Sequence, residues 1–349
     1  MGRTLNQSFN FGGFCMLDDP RYRPLGRTAA RLQPGSRRRD FLRFALAAAA
    51  LGAPPLDRLL GLAAAQAAAP FTTTSLRDGL TLIGGAGGNI SLLKMGNAAA
   101  LVDSGAPEHA AALSALIRAQ LGGVPLGTLL NTHWHPAATG GNDVFGSAGT
   151  KIVAHENTRL WMATEYYVDW EDKTYAPRAA SALPTATFYS SDPQPITLKA
   201  GDERIEYGHL QEAHTDGDIY VFFRERNVLV AGGAVATGAY PVIDYATGGW
   251  IGGLVESTAK LLSITNADTL IVPHDGLAQP RSHLEAQLHM LKTTRGRIEN
   301  LMRKGKSIAE MLAADVTAGF DPQWGANRER FVANIYNGLW WAGRLSDSL

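Results

Sequence analysis

The chain contains 349 residues, 45% of them hydrophobic, so it is long enough to bury one large core or two ordinary ones. Its 32 basic and 32 acidic residues balance to a formal net charge of zero, which argues against nucleic-acid binding because phosphate recognition needs a basic surface. The single cysteine, Cys15, excludes an internal disulfide framework and a cysteine-rich zinc module. Any metal site must therefore use His, Asp or Glu, and the partner that we expect is a small molecule or a protein.

Residues 1–67 have the composition of an export signal. Arg38 and Arg39 lie just before an alanine-rich apolar run, and with the following Phe-Leu they resemble the twin-arginine motif. An Ala-x-Ala stretch then predicts a mature start near Ala68, a periplasmic location and no stable membrane span after cleavage. Because the region before the arginines is long for such a signal, Met16 is an alternative start. A soluble alanine-rich helix with a basic cap is the alternative interpretation.

The first half of the domain that we predict over residues 72–349 begins with strands and then alternates strands with helices. Short apolar runs separated by glycine predict the first strands, and apolar residues at helical spacing predict the first helix. The predicted elements are strands over residues 80–83, 90–93 and 99–102, a helix over 107–121, strands over 126–132 and 151–154, and a helix from 156.

The second half begins with strands again and ends in helices. Strands are predicted over residues 204–207, 219–223 and 228–230, a helix over 254–264, a strand over 269–272, and a helical part over 280–349. Trp340 and Trp341 in the last helix are expected in the core. Two strand-rich halves with helices outside are compatible with an α/β fold in which two sheets form a sandwich.

The most informative segment is 131–142, Asn-Thr-His-Trp-His-Pro-Ala-Ala-Thr-Gly-Gly-Asn. His133 and His135 follow a buried strand directly, so both imidazoles lie on one loop and can bind the same ion. This segment resembles the metallo-β-lactamase superfamily, whose pattern is Thr-His-x-His-x-Asp-His followed by Gly-Gly-Asn. The resemblance implies an αββα sandwich of two mixed sheets flanked by helices.

The same resemblance implies a third metal ligand, His214, in an Ala-His-Thr-Asp-Gly segment that precedes a predicted strand. Three histidines suit zinc and leave a fourth position for water. We therefore expect one zinc ion on His133, His135 and His214. The implied activity is hydrolysis of an ester, amide, thioester or β-lactam bond by a zinc-activated water.

The positions of the family's second metal site are altered in this chain. Ala137, Ala138 and Gly233 stand where the family has Asp, His and Asp, and Asp275 stands where it has a histidine. At most one metal ion is therefore expected, and restoring all four family residues should raise the metal content. His274, one residue before the usual histidine position, and Asp275 are candidate general bases.

Other segments, over residues 88–90, 102–105, 154–157 and 240–244, resemble an exported branch of the family that is linked to quinoprotein systems. The metal ligands of that branch are normally intact, so this chain looks like a degenerate member. A non-catalytic protein that binds a ligand or partner is the main alternative function. An iron oxygenase is less favoured, because Gly233 lies where its carboxylate ligand would be.

Three further expectations concern the surroundings of the metal site. Asp103 should orient a ligand histidine or hold its loop. Trp134, between the two motif histidines, should pack in the core. An aromatic segment could line a substrate cleft or pack against a helix; its members are Trp161, Tyr166, Tyr167, Trp170 and Tyr175. The sequence predicts neither the substrate nor the oligomeric state.

Overall fold

A computed structural model of the chain describes residues 71–189 and 195–341. The described residues belong to one compact unit. The predicted export signal over residues 1–67, with its twin arginines, Met16 and the cleavage site, lies outside them. None of the helices in the described ranges is long and apolar enough to cross a membrane.

Strands make up two large sheets and one hairpin. The strands, in chain order, are β1 (Thr72–Arg77), β2 (Leu80–Gly84), β3 (Ile90–Met95), β4 (Ala98–Val102), β5 (Thr128–Leu130), β6 (Lys151–His155), β7 (Tyr166–Val168), β8 (Lys173–Tyr175), β9 (Ala186–Phe188), β10 (Ile196–Ala200), β11 (Glu203–His209), β12 (Ile219–Phe223), β13 (Val228–Gly232), β14 (Leu270–Pro273) and β15 (Gln279–Pro280). The first sheet has the order β1-β2-β3-β4-β5-β6-β9, the second has the order β10-β11-β12-β13-β14-β15, and β7 pairs with β8.

Helices connect the parallel strands and follow the last strand. The helices are α1 (Ala110–Leu121), α2 (Pro136–Thr139), α3 (Asn142–Ser147), α4 (Glu156–Ala163), α5 (Ile251–Ile264), α6 (Ser282–Arg303), α7 (Ile308–Ala313), α8 (Asp321–Trp324) and α9 (Arg328–Trp341). Parallel pairing of β4 with β5 and of β13 with β14 requires crossover connections, and α1 and α5 lie in these two connections.

Alternating side chains bury both faces of the central strands of each sheet. In β12, Val221 and Phe223 face the core between the two sheets, whereas Tyr220 and Phe222 face the helices that cover the second sheet. The first sheet is covered in the same way, because Leu113 and the rest of the apolar stripe of α1 pack against its outer face. The result is two mixed sheets flanked by helices, as the sequence predicts.

The sequence misses short elements and misplaces one tryptophan. It predicts none of β1, the β7–β8 hairpin, β9, β10 and β15, and it extends β5 into residues 131–132, which are loop. The C-terminal part is helical as predicted as far as Trp341. Trp340, however, is 71% exposed rather than in the core, and it stacks on Tyr336 at the surface. The side chain of Trp341 lies outside what the structure describes.

Pairing directions bring four separate segments to one edge of the sandwich. β4 and β5 are parallel, so Asp103 and His133, which follow them, lie at the same edge. β13 and β14 are also parallel, which places Gly233 and His274 together at their carboxyl ends. Because β12 runs antiparallel to β13, the start of β12, with His214 just before it, lies at that edge too.

Candidate metal centre

Three histidines meet at this edge. One ligand nitrogen each from His133, His135 and His214 lies within 4.8 Å of the other two, and in the described ranges no other group of three His, Cys, Asp or Glu side chains comes together in this way. His133 and His214 are buried and His135 is half-buried. The structure therefore brings together the three residues that the sequence predicts as metal ligands.

Each histidine is held through the ring nitrogen that faces away from the cluster. Nε2 of His135 lies 3.2 Å from Oδ2 of Asp244, and Nδ1 of His214 lies 2.7 Å from the carbonyl oxygen of Val242. Nδ1 of His133 lies 2.9 Å from the hydroxyl of Thr132. Carboxylates and carbonyls only accept hydrogen bonds, so the outward nitrogens of His135 and His214 carry the protons. This arrangement of outer partners is typical of metal-binding histidines.

The inward nitrogens are therefore the ones with free lone pairs. Nδ1 of His135 and Nε2 of His214 lie 2.8 Å apart, so two lone pairs face each other when both rings are neutral. Nε2 of His133 is buried and has no hydrogen-bond partner within the described part of the chain. A buried polar atom without a partner costs free energy, and a cation between the three nitrogens would satisfy all of them. The residues present thus fit a bound metal ion.

Burial keeps the rings of His133 and His214 neutral. Burial, followed by the nearby His214 and His135, lowers the pKa of His133 well below its usual range. Burial and the neighbouring His135 likewise lower the pKa of His214 to about 3. Neutral imidazoles are the form that binds a metal, so the site does not have to lose protons from these two rings at neutral pH.

Asp103 acts on His133 through Thr132. Its two carboxylate oxygens accept hydrogen bonds from the backbone N–H and the hydroxyl of Thr132, each at 2.7 Å. With its proton directed to Asp103, the Thr132 hydroxyl is left as an acceptor for Nδ1 of His133. Burial raises the pKa of Asp103 to about 7, although the Thr132 hydrogen bonds oppose that shift. Asp103 thus acts on the His133 ring through the Thr132 hydroxyl, which fits the orienting role expected from the sequence.

Asp244 is a site residue to which the sequence assigned no role. It is fully buried and accepts hydrogen bonds from His135, from the hydroxyl of Thr247 at 2.6 Å and from the indole of Trp170 at 2.9 Å. Burial by itself would raise the pKa of Asp244, but these three donors hold it below its ordinary value. Its segment, 240–244, resembles the family, and that was the only signal available.

Three of the four positions at which the sequence differs from the family pattern have side chains that offer no metal ligand. Ala137 lines the cavity beside the histidines, and Ala138 is buried. Gly233 also lines this cavity, but a Cβ atom there would lie 2.1 Å from Cδ2 of the His214 ring. The ring of His214 therefore occupies the space that any side chain at position 233 would need.

His274 and Asp275 are brought to the cavity but differ in their contacts. The His274 ring lies 5.6 Å from that of His133, and burial, which outweighs the opposite effect of Asp275, lowers its pKa. The backbone of His274 is fixed by Asn89, whose N–H donates to the His274 carbonyl at 2.7 Å. Asp275 is exposed, and its carboxylate accepts from Thr237 at 3.4 Å.

The histidines open into a cleft of about 380 Å³. Its aromatic lining includes Trp170, Tyr175 and Tyr240, and its charged lining consists of Glu171, Lys173, Asp275 and Arg330. Of the predicted aromatic segment, Trp170 and Tyr175 line the cleft. All its members except Tyr167, which is 54% exposed, belong to the cluster around Trp134. Trp134 itself is buried, as predicted, and its ring lies 4.0 Å from that of His135.

Comparisons with known proteins agree with this architecture. The sequence model of the metallo-beta-lactamase superfamily matches residues 83–288. A metallo-beta-lactamase from Pontibacter korlensis is similar in structure, with a TM-score of 0.52 and 18% identity over 64% of this chain and 99% of that one. The DIM-1 metallo-beta-lactamase gives a TM-score of 0.52 and 17% identity over 64% of this chain and 98% of that one. No curated protein sequence matches the chain.

Proposed function

The chain belongs to the metallo-beta-lactamase superfamily, and from that premise we propose that it is a metal-dependent hydrolase with one zinc ion held by His133, His135 and His214. The bond that it cleaves is an ester, amide, thioester or β-lactam bond. The proposal rests on one observation above all. Three inward ring nitrogens converge while the outward nitrogens are bound by Thr132, Asp244 and Val242.

Zinc in such a site supplies Lewis acidity and a water whose pKa falls to about 7. The chain's own residues prepare the site for it. Asp244 and the Val242 carbonyl fix the rings of His135 and His214, so these ligands need little rearrangement when the ion binds. Burial also lowers the pKa of His133 and of His214, which keeps these two imidazoles neutral.

His274 is the better placed of the two candidate bases. Its ring lines the cleft near His133. Burial lowers the pKa of His274, which keeps the ring neutral but also makes it a weaker base. Asp275 is exposed and faces Thr237. We assign proton acceptance to His274, because Ala137 has no carboxylate to do so.

The altered second half of the site supports a single ion rather than two. Ala137, Ala138 and Gly233 provide no ligand atoms, and Asp275 lies at the exposed end of the cleft. The same alterations favour the alternative function, in which the inherited fold binds a ligand or partner without turnover. The two functions differ in a measurable way, because only the first predicts hydrolysis that depends on both zinc and His274.

We further propose that the protein is a degenerate member of an exported branch and acts in the periplasm. The support comes from the sequence of residues 1–67, with Arg38 and Arg39 before an apolar run. A reporter that must fold before transport, fused behind residues 1–70, should reach the periplasm. Replacing both arginines with lysine should stop this transport, and retention of the unaltered fusion would exclude twin-arginine export.

The central test is the metal content of the purified mature protein, measured by elemental mass spectrometry together with hydrolysis of an ester and β-lactam panel. We expect about one zinc ion per chain, which chelation removes together with the activity. His135→Ala should abolish both. His289→Ala is the matched control, because His289 is exposed and packs against Phe320 away from the cluster. Two tightly bound ions, or full zinc in His135→Ala, would contradict the proposed site.

A further inference from the structure

One wall of the cleft comes from the C-terminal part of the chain, beyond the residues that match the superfamily. Asn327 lies in the turn just before α9, with a left-handed φ of 64°, and Arg330 lies in the first turn of that helix. Both line the cavity that contains His133, His135 and His214. The fold thus places an exposed amide and an exposed guanidinium on the wall of the cleft that contains the candidate metal centre.

Arg330 is exposed and contacts Trp170 without using its hydrogen-bond donors on the described residues. Its guanidinium carbon lies 5.4 Å from the centre of the Trp170 ring, and Trp170 is itself fixed by its hydrogen bond to Asp244. The neighbouring Arg328, by contrast, forms salt bridges with Asp315 and Asp321. Within the ranges that the structure covers, Arg330 has no salt bridge and no hydrogen bond.

Lys173 adds a second cation to the cleft lining. Its ammonium group lies 4.3 Å from the centre of the Tyr175 ring. Two acidic residues also line the cleft, but Glu171 accepts a hydrogen bond from Tyr175, and Asp275 faces Thr237. Among the described residues neither acid forms a salt bridge with a cation of the cleft, so Lys173 and Arg330 remain available to an incoming anion.

We propose that Arg330 determines substrate specificity by binding an anionic oxyacid group of the substrate, a carboxylate in the first instance, while Asn327 and Lys173 assist it. This inference rests on the proposed function, and it narrows the substrate class to esters or amides that carry such a group. The planar guanidinium presents paired N–H donors that match a carboxylate, and the rim of aromatic side chains accommodates the apolar part of the molecule.

The test uses glutaric acid monoanilide, which has one carboxylate, and its methyl ester, which has none. Calorimetric titration of the zinc-loaded mature protein should give tighter binding of the acid. Arg330→Gln should weaken binding of the acid roughly tenfold, in keeping with the loss of a charged hydrogen bond, and leave the ester unchanged. Lys292→Gln is the matched control, because it removes an exposed cation from α6. Higher salt should weaken only the binding of the acid.

Repeating the titration on metal-free protein separates this proposal from the proposed hydrolase. The protein could bind no zinc and hydrolyse nothing, and yet bind the acid in a way that depends on Arg330. That result would support the anion site and contradict the proposed hydrolase function. Binding of the acid that needs zinc and ignores Arg330→Gln would mean that the metal takes the carboxylate, and it would overturn the anion site. Equal effects of Arg330→Gln on the acid and the ester, or no binding of the acid at millimolar concentration, would overturn it as well.

Discussion

The two sides of the cleft differ in how firmly their histidines are held. On one side, the rings of His133, His135 and His214 each have an outer partner that fixes the ring and, for the last two, its tautomer. On the other side, the backbone of His274 is fixed by Asn89, but no described residue makes a hydrogen bond to its ring. We call the side with the three partnered rings the rigid side, and the side whose His274 ring has no hydrogen bond from a described residue the free side.

This difference separates two chemical tasks. A metal ligand works best when its lone pair already faces the ion, because ordering it later reduces the affinity. A proton acceptor gains from some freedom, because it must take a proton and then release it to solvent or product. We infer that the rigid side is specialised for binding and the free side for proton transfer, and three substitutions test this division.

The largest effect is expected from Gly233→Asp on the rigid side. The new Cβ would lie 2.1 Å from the His214 ring, so the ring must leave its place before the side chain fits. We expect metal content to fall from about one ion to near zero and the free energy of unfolding to fall by roughly 1–3 kcal/mol. This overlap argues against the expectation that restoring the family's four residues simply rebuilds a second site.

Gly296→Ala is the control for that substitution, because a Cβ at Gly296 in α6 meets nothing within 4 Å. It should leave metal content unchanged and stabilise the helix by up to about 1 kcal/mol. Elemental analysis and denaturant unfolding measure both effects. A second tightly bound ion in Gly233→Asp would show instead that His214 has an alternative place and that the family's two-metal arrangement is still accessible.

The next effect is expected on the free side. His274→Ala should lower hydrolysis roughly 100- to 10,000-fold, the usual contribution of a general base, while zinc content stays the same. Asp275→Ala should have a much smaller effect, since its carboxylate is exposed. Steady-state kinetics and metal analysis on the same samples provide the comparison. Loss of zinc from His274→Ala would make His274 a ligand rather than a base.

The smallest effect is expected from Asp244→Asn, which keeps the shape of the side chain but removes the charge opposite His135. Loss of such an outer partner typically reduces metal affinity about 10- to 100-fold. Zinc competition with a chromogenic chelator measures the change. Asp268→Asn, at an exposed loop position, is the control. Unchanged affinity would mean that packing of the His135 ring on Trp134 is sufficient to orient it.

The sequence predicts the fold well because most strands are buried on both faces and most helices have one apolar stripe, and both patterns are visible in a single chain. Short elements such as the β7–β8 hairpin lack enough residues to show a period. His133, His135 and His214 were predictable because a motif places them. Asp244 and Arg330 were not, because the contact of Asp244 with His135 and that of Arg330 with Trp170 exist only in the folded chain.

The three candidate ligands belong to different halves of the sandwich, and this has a mechanical consequence. His133 and His135 follow a strand of the first sheet, whereas His214 precedes a strand of the second. An ion bound by all three histidines would link the two sheets. At a free zinc concentration one hundred times the dissociation constant, this binding would raise the free energy of unfolding by about 2.7 kcal/mol. If the proposed twin-arginine export takes place and carries only folded chains, the ion would bind in the cytoplasm, before the protein leaves the cell interior.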